Sequence, residues 1–221
     1  MRELHFFDPN EVVSVLQRKL PHWSQAGVVC FITFRTRDSF PKALLSRFHA
    51  DRRYWLRCHR IDPDSSDWRQ ALQRLDRAKQ REFYRTFSVR WHQTLDRGAG
   101  DCLLADPKLS KIVHDSLLHF DGVRYDMSDF VIMSNHVHLL AAFQDDDTML
   151  AQCESWKHFT ATQINRAIGR AGRFWQQDGF DHLVRSTQQY EHFRNYIAEN
   201  PDKAKLNRGQ FRYYSSHHAP S

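Results

Sequence analysis

The longest apolar stretch in this polar chain is Phe130-Val131-Ile132-Met133-Ser134-Asn135-His136-Val137-His138-Leu139-Leu140-Ala141-Ala142-Phe143. Its single polar break, Ser134-Asn135, fits a tight reversal, so the pattern predicts two strands, Tyr125–Met133 and His136–Phe143. A further buried strand is predicted at 27–35, where Val28, Val29, Phe31, Ile32 and Phe34 crowd together before Arg35. Elsewhere apolar residues recur at threes and fours, the helical rhythm. Helices are expected at 11–19 (opened by Asp8-Pro9, stopped by Pro21) and from Pro41 onward. They are also expected over 66–97, 106–120, 148–169 and 187–200, with Pro201 ending the last. A short strand is expected near the end of the irregular segment 174–185. Mixed helices and strands with a hairpin suggest an α+β fold on an antiparallel sheet. Gly98-Ala99-Gly100-Asp101 reads as a linker, and the chain from about 215 as a loose tail.

Alternation along a strand puts His136 and His138 on one face and Val137, Leu139 and Phe143 on the other. Two adjacent imidazoles make a partial metal site. Zinc would want three or four strong nitrogen or sulfur ligands, and no cysteine stands at a suitable spacing. A hard divalent ion, Mg²⁺ or Mn²⁺, completed by oxygens is the better match, with the Asn200 carboxamide as one candidate donor. Two partly buried histidines bonded to backbone would give the same pattern. Tyr196 lies one helical turn before Asn200, so the two share a face. A phenol has a free pKa near ~10 and needs a cation-activated phosphate to attack productively. Without the histidines, Tyr196 would read as an ordinary packed tyrosine.

Charge adds a partner to this picture. Lys and Arg number 32 against 26 Asp and Glu, a net of +6 with pI about 9.3. Such a balance favours a polyanion, nucleic acid first, although a merely soluble basic protein carries it too. Arg35 and Arg37 leave the predicted strand at 27–35. Arg170 and Arg173 form a basic loop beside Trp175, with His182 and Arg185 downstream and Lys203 on the last helix. Cations beside exposed aromatics hold single-stranded nucleic acid, and core packing is the other use of such rings. The 66–97 segment also bears Arg74, Arg77, Arg81 and Arg85, either facing DNA or simply solvated. Eight glycines argue against extended phosphate-cradling loops. Four scattered cysteines without a CxxC fit reduced thiols, hence a cytoplasmic protein. The start is too polar for a signal peptide, and no run approaches ~18 apolar residues.

The motifs resemble a known family. Ser134-Asn135-His136-Val137-His138-Leu139-Leu140 is similar to the His-hydrophobic-His motif of single-tyrosine HUH transposases. Tyr196-Ile197-Ala198-Glu199-Asn200-Pro201-Asp202-Lys203-Ala204 resembles their tyrosine-helix motif. Trp175-Gln176-Gln177-Asp178-Gly179-Phe180-Asp181-His182 resembles the segment before that helix. Leu20-Pro21-His22-Trp23 and Phe31-Ile32-Thr33-Phe34-Arg35 resemble the amino-terminal pattern of the REP-associated tyrosine transposases. Ser134 stands where the family often has Pro, and Asp202 and Lys205 replace the more usual Val and Gly.

This resemblance implies one domain over 1–221, built on a ferredoxin-like antiparallel sheet flanked by helices, with a helical insertion at about 45–100. It implies cleavage and rejoining of single-stranded DNA beside hairpin repeats. Tyr196 would be the nucleophile, and His136, His138 and Asn200 the ligands of Mg²⁺ or Mn²⁺. DNA would meet Arg35, Arg37, Arg170, Arg173, Trp175, His182, Arg185 and Lys203. The protein would act as a monomer or homodimer, away from membranes. Two other readings fit the residues: a hairpin-binding protein of the same fold with little turnover, and a metal hydrolase of another substrate.

Overall fold

The structure, a computed structural model, describes residues 4–8, 14–17, 21–144, 146–177 and 179–217. The chain divides into two compact units, Met1–Arg37 with Asp101–Ser221, and Asp38–Gly100.

In the first unit, strands β1 (Ser14–Gln17) and β2 (Pro21–Ser24) form an antiparallel ribbon, Ser14 opposite Ser24. This corrects the helix expected at 11–19 over its described part. Ser14–Gln17 is extended, Pro21 opens the partner strand instead of stopping a helix, and 9–13 and 18–20 lie outside the described residues. The Asp8 backbone N–H and C=O meet the Gln25 carboxamide at 3.0 and 2.9 Å.

The main sheet is antiparallel and five-stranded, in the order β6-β3-β5-β4-β7. Its members are β3 (Val29–Arg35), β4 (Tyr125–Ile132), β5 (His136–Phe143), β6 (Phe180–Leu183) and β7 (Arg212–Ser215). Between the strands run α5 (Pro107–Leu118), α6 (Asp146–Ala167) and α7 (Thr187–Lys203). From β3 to β6 the elements follow the β-α-β-β-α-β ferredoxin-like path, and these four strands lie in the order fourth, first, third, second. The α+β expectation therefore holds.

The sheet buries both faces, which explains why its central strands read as near-continuous apolar runs. On one face, Cys30, Ile32, Phe34, Val137, Leu139 and Ala141 pack with Leu109, Val113 and Leu117 of α5 and Met149, Trp156 and Ile164 of α6. On the other, Val29, Phe31, Val131, Met133 and Leu140 pack with Tyr190 and Ile197 of α7. A β-bulge between Met127 and Asp129 interrupts the alternation of β4. Before it Tyr125 and Met127 face α5 and α6; after it Phe130 and Ile132 do, and Val131 and Met133 face α7. The caps follow the sequence: Asp106 accepts from Lys108 N–H at 2.7 Å to start α5, and Ser186 accepts from Gln189 N–H at 3.2 Å to start α7.

Helix α7 does not stop at Pro201 but runs on to Lys203. Pro201 cannot donate to the carbonyl four residues back, yet so close to the end this forfeits one bond. The last carbonyls are used instead by Ala204 N–H on Asn200 (3.0 Å) and Leu206 N–H on Pro201 (2.9 Å). The chain expected to be loose from about 215 is held as far as Ser216, whose N–H donates to Ser128 O at 2.8 Å; 218–221 lie outside the described residues.

The second unit is helical: α1 (Lys42–Cys58), α2 (Trp68–Gln73), α3 (Arg77–Tyr84) and α4 (Arg90–Asp96). The single helix expected over 66–97 is broken. Asp76 caps α3 by accepting from Lys79 N–H at 2.9 Å, which ends the preceding turn, and a π-helical turn at Arg85–Val89 joins α3 to α4. Leu56, Ile61, Leu72, Phe83 and Phe87 form its core. Among the described residues no helix is long and apolar enough to cross a membrane.

Candidate active site

The turn that introduces the two histidines is held on both sides. Thr36 N–H donates to Asn135 O at 2.8 Å, Leu104 N–H to Ser134 O at 3.0 Å, and Met133 N–H to His136 O at 2.8 Å. Register then sets the neighbours. Arg35 stands opposite His136, Thr33 opposite His138 and Phe31 opposite Leu140, all on the face that α7 covers.

Both imidazoles are fully buried and oriented through Nδ1. His138 Nδ1 lies 2.7 Å from Thr33 Oγ1, and His136 Nδ1 lies 2.7 Å from Asn135 Oδ1. An amide oxygen only accepts, so His136 carries its proton on Nδ1 and keeps its lone pair on Nε2. The same tautomer in His138 lets Nε2 accept. Anchoring one ring nitrogen so that the other presents a lone pair is how proteins prepare histidine for a metal. The rings sit edge to face, centroids 4.6 Å apart.

Tyr196 comes to this pair from α7. Its hydroxyl lies in hydrogen-bond contact with His138 Nε2 at 3.3 Å, and the two rings meet at 5.1 Å. Aromatic packing holds the helix there: Phe31 stacks on Phe193 (centroids 4.3 Å, 6° between planes), lies parallel to His138 and meets Tyr196 edge-on. Asn200, one turn further along the same helix face, is fully buried. Neither its Oδ1 nor its Nδ2 has a hydrogen-bond partner among the described residues. An unmet buried amide costs about 1–3 kcal/mol, so it asks for a ligand. Two imidazole Nε2 atoms and an amide oxygen fit a hard divalent ion that keeps positions for phosphate oxygens.

Asn200→Leu should therefore stabilise the chain in chelator by about 1–2 kcal/mol while weakening Mn²⁺ binding. A rise in the urea midpoint at unchanged slope, with a calorimetric loss of affinity, is the expected pair of results. Destabilisation in chelator would show that the amide is already satisfied.

The cations expected to meet DNA are scattered in exposure. Arg35 is only 8% exposed, and burial pushes its guanidinium pKa down to about 10, so it stays charged at neutral pH beside the histidine strand. Arg37 is exposed. Arg170 pairs with Asp101 at 2.7 Å, and Arg173 reaches Gln177 Oε1 at 3.4 Å. Arg185 lies over the Phe7 ring, and Lys203 pairs with Glu199 and sits 5.7 Å over the ring of Tyr196. His182 shares the face of Phe31; Gln189 Nε2 donates to its Nε2 at 3.0 Å. Trp175 is a correction. It is 3% exposed, edge-on to Phe34, and donates Nε1–H to Thr160 Oγ1 at 2.8 Å. A ring enclosed in the core has no face for a base.

One group near the site was not singled out from the sequence. Asp129 is fully buried and accepts from Arg194 Nε at 3.1 Å and from the Ser128 hydroxyl, with Tyr213 Oη at 3.4 Å. Ser128 also meets Tyr190 Oη at 2.6 Å. Burial draws the Arg194 pKa down, but Asp129, Glu191 and Tyr190 outweigh it and hold it above the usual value. Arg194 stands two residues before Tyr196, so this pair ties the tyrosine helix to β4.

No family model matches the chain, and no curated protein does. A solved structure described as that of "the REP associates tyrosine transposase bound to a REP hairpin" is similar to it. That likeness has 16% identity and a TM-score of 0.39, over 85% of this chain and 74% of that one. At that level it carries no argument.

Proposed function

We propose that this chain is a single-stranded DNA transesterase of the single-tyrosine HUH type, acting beside hairpin-forming, REP-like DNA. The observation that carries the reading is the Tyr196 hydroxyl on Nε2 of His138, with both histidines anchored through Nδ1. The motifs at 134–140 and 196–204 support it independently.

Tyr196 Oη attacks the scissile phosphorus. The bond to the 3′ oxygen breaks, the 5′ phosphate stays on the tyrosine, and the 3′ oxygen leaves as a hydroxyl while the phenol loses its proton. One phosphodiester replaces another, so the step reverses when a new 3′-OH arrives. His136, His138 and Asn200 would hold Mg²⁺ or Mn²⁺, which when bound polarises the phosphate and favours the phenolate. Arg35, buried and cationic beside this strand, adds positive charge where the phosphate must sit. Lys203 lies against the face of the attacking ring. The test is incubation with labelled hairpin-containing single-stranded DNA and Mn²⁺, followed by denaturing electrophoresis and mapping of the adduct to Tyr196. Hairpin binding without any adduct would favour the binding-only reading.

The same nitrogen of His138 that would bind the ion holds the phenol. Removing the hydroxyl removes a competitor worth about 1 kcal/mol. Tyr196→Phe should therefore bind Mn²⁺ about fivefold more tightly by calorimetry. Equal affinity would mean that the phenol and the ion do not share that atom.

A further inference from the structure

The positive charge of this protein belongs to one unit. Asp38–Gly100 holds fourteen Lys and Arg against eight Asp and Glu, a net of +6. The rest of the chain holds eighteen of each and is neutral. The unit with the candidate active site therefore carries no net charge, and the helical unit carries the whole excess.

Within the helical unit the charge is ordered. Arg77, Arg81 and Arg85 follow one another at intervals of four along α3 and into the π-helical turn, and all three are exposed. Intervals of four on a helix put successive cations on one face, roughly 6 Å apart along the axis. None of the three makes an ion pair among the described residues. Nearby carboxylates are engaged elsewhere: Glu82 accepts from Trp55 Nε1 at 3.0 Å, Asp76 caps α3 and meets Lys79, and Asp64 holds Arg53. Tyr84 stands in the same row, three residues after Arg81, and is 48% exposed. A solvated face needs neither a charge excess confined to one unit nor an exposed ring among unpaired arginines.

We propose that Asp38–Gly100 is a binding surface for single-stranded nucleic acid, with Arg77, Arg81 and Arg85 on successive phosphates and Tyr84 stacked on a base. Cations tracking a backbone with a ring between them form the arrangement that holds single strands without reading sequence. Duplex DNA would use the cations but leave the ring idle. The surface needs no metal ion.

The experiment is fluorescence anisotropy of the full chain with labelled oligo-dT in chelator over a range of salt. Replacing Arg77, Arg81 and Arg85 together by Ala should lower the slope of log affinity against log salt by about 2, since each single-strand phosphate contact contributes about 0.7. Tyr84→Ala should weaken binding roughly tenfold at every salt concentration without changing the slope. Replacing the exposed Lys108, Arg124 and Arg208 by Ala removes the same charge from the other unit and should leave the slope alone. Circular dichroism confirms that each variant is folded.

An unchanged slope for the arginine variant, or an equal drop for the control, overturns the proposal. So does polyglutamate competing as well as dT. Full affinity in Tyr84→Ala, or tighter binding of duplex, overturns the single-strand assignment. Oligo-dT binding without any adduct on hairpin DNA would sink the transesterase reading and leave this surface standing.

Discussion

Tyr196→Phe is expected to abolish the denaturation-resistant protein–DNA adduct entirely and to leave hairpin affinity within about fivefold of the parent. The loss is total because the phenolic oxygen is the atom that would bond to phosphorus. In the resting chain that oxygen hydrogen-bonds His138. The ring itself packs against Phe31 and His138, and phenylalanine keeps that packing. Adduct gels and anisotropy on the same preparations separate the two effects. Nicking at the same site by the Phe variant would identify water as the nucleophile and end the covalent mechanism.

Arg194→Ala is expected to cost about 3 kcal/mol or more of stability, the largest loss from a single partly exposed side chain here. Its partner Asp129 is fully buried, so the substitution strands a carboxylate with only hydroxyl donors around it. Urea unfolding should show the midpoint falling at constant slope. Pairing Arg194→Met with Asp129→Asn should restore much of the loss, because both charges are then gone. Strict additivity of the two single substitutions would show that the pair does not interact. Adduct formation by Arg194→Ala should fall as well, since the pair ties down the helix that carries Tyr196.

Much of this was legible in the residues because the sheet is buried on both faces. Strand β5 begins at His136 and ends at Phe143, as its apolar run and the Ser134-Asn135 break indicate. Asp106-Pro107 marked one helix start by the side chain that caps it. Other features depended on partners far along the chain. Ser14–Gln17 has residues suited to either state, and pairing with Pro21–Ser24 decides it. Trp175 looked like a nucleic-acid platform because basic residues precede it, and Thr160 claims its N–H inside the core. At the candidate site, spacing alone put Tyr196 and Asn200 on one helix face. It did not say which nitrogen of each histidine would point inward, because Thr33 and Asn135 decide that. Asp129 was not singled out, for nothing local distinguishes a buried carboxylate from a solvated one.

The bulge at Ser128 governs more than the local twist of β4. An unbroken two-residue alternation from Tyr125 would send Asp129 toward the apolar core against α5 and α6. One extra residue reverses the parity, so that Asp129 meets Arg194 while Phe130 and Ile132 still fill the opposite core. The mooring of the tyrosine helix is thus fixed by chain length. Substitution can tune that contact, but only a change in chain length can move it to the other side of the sheet.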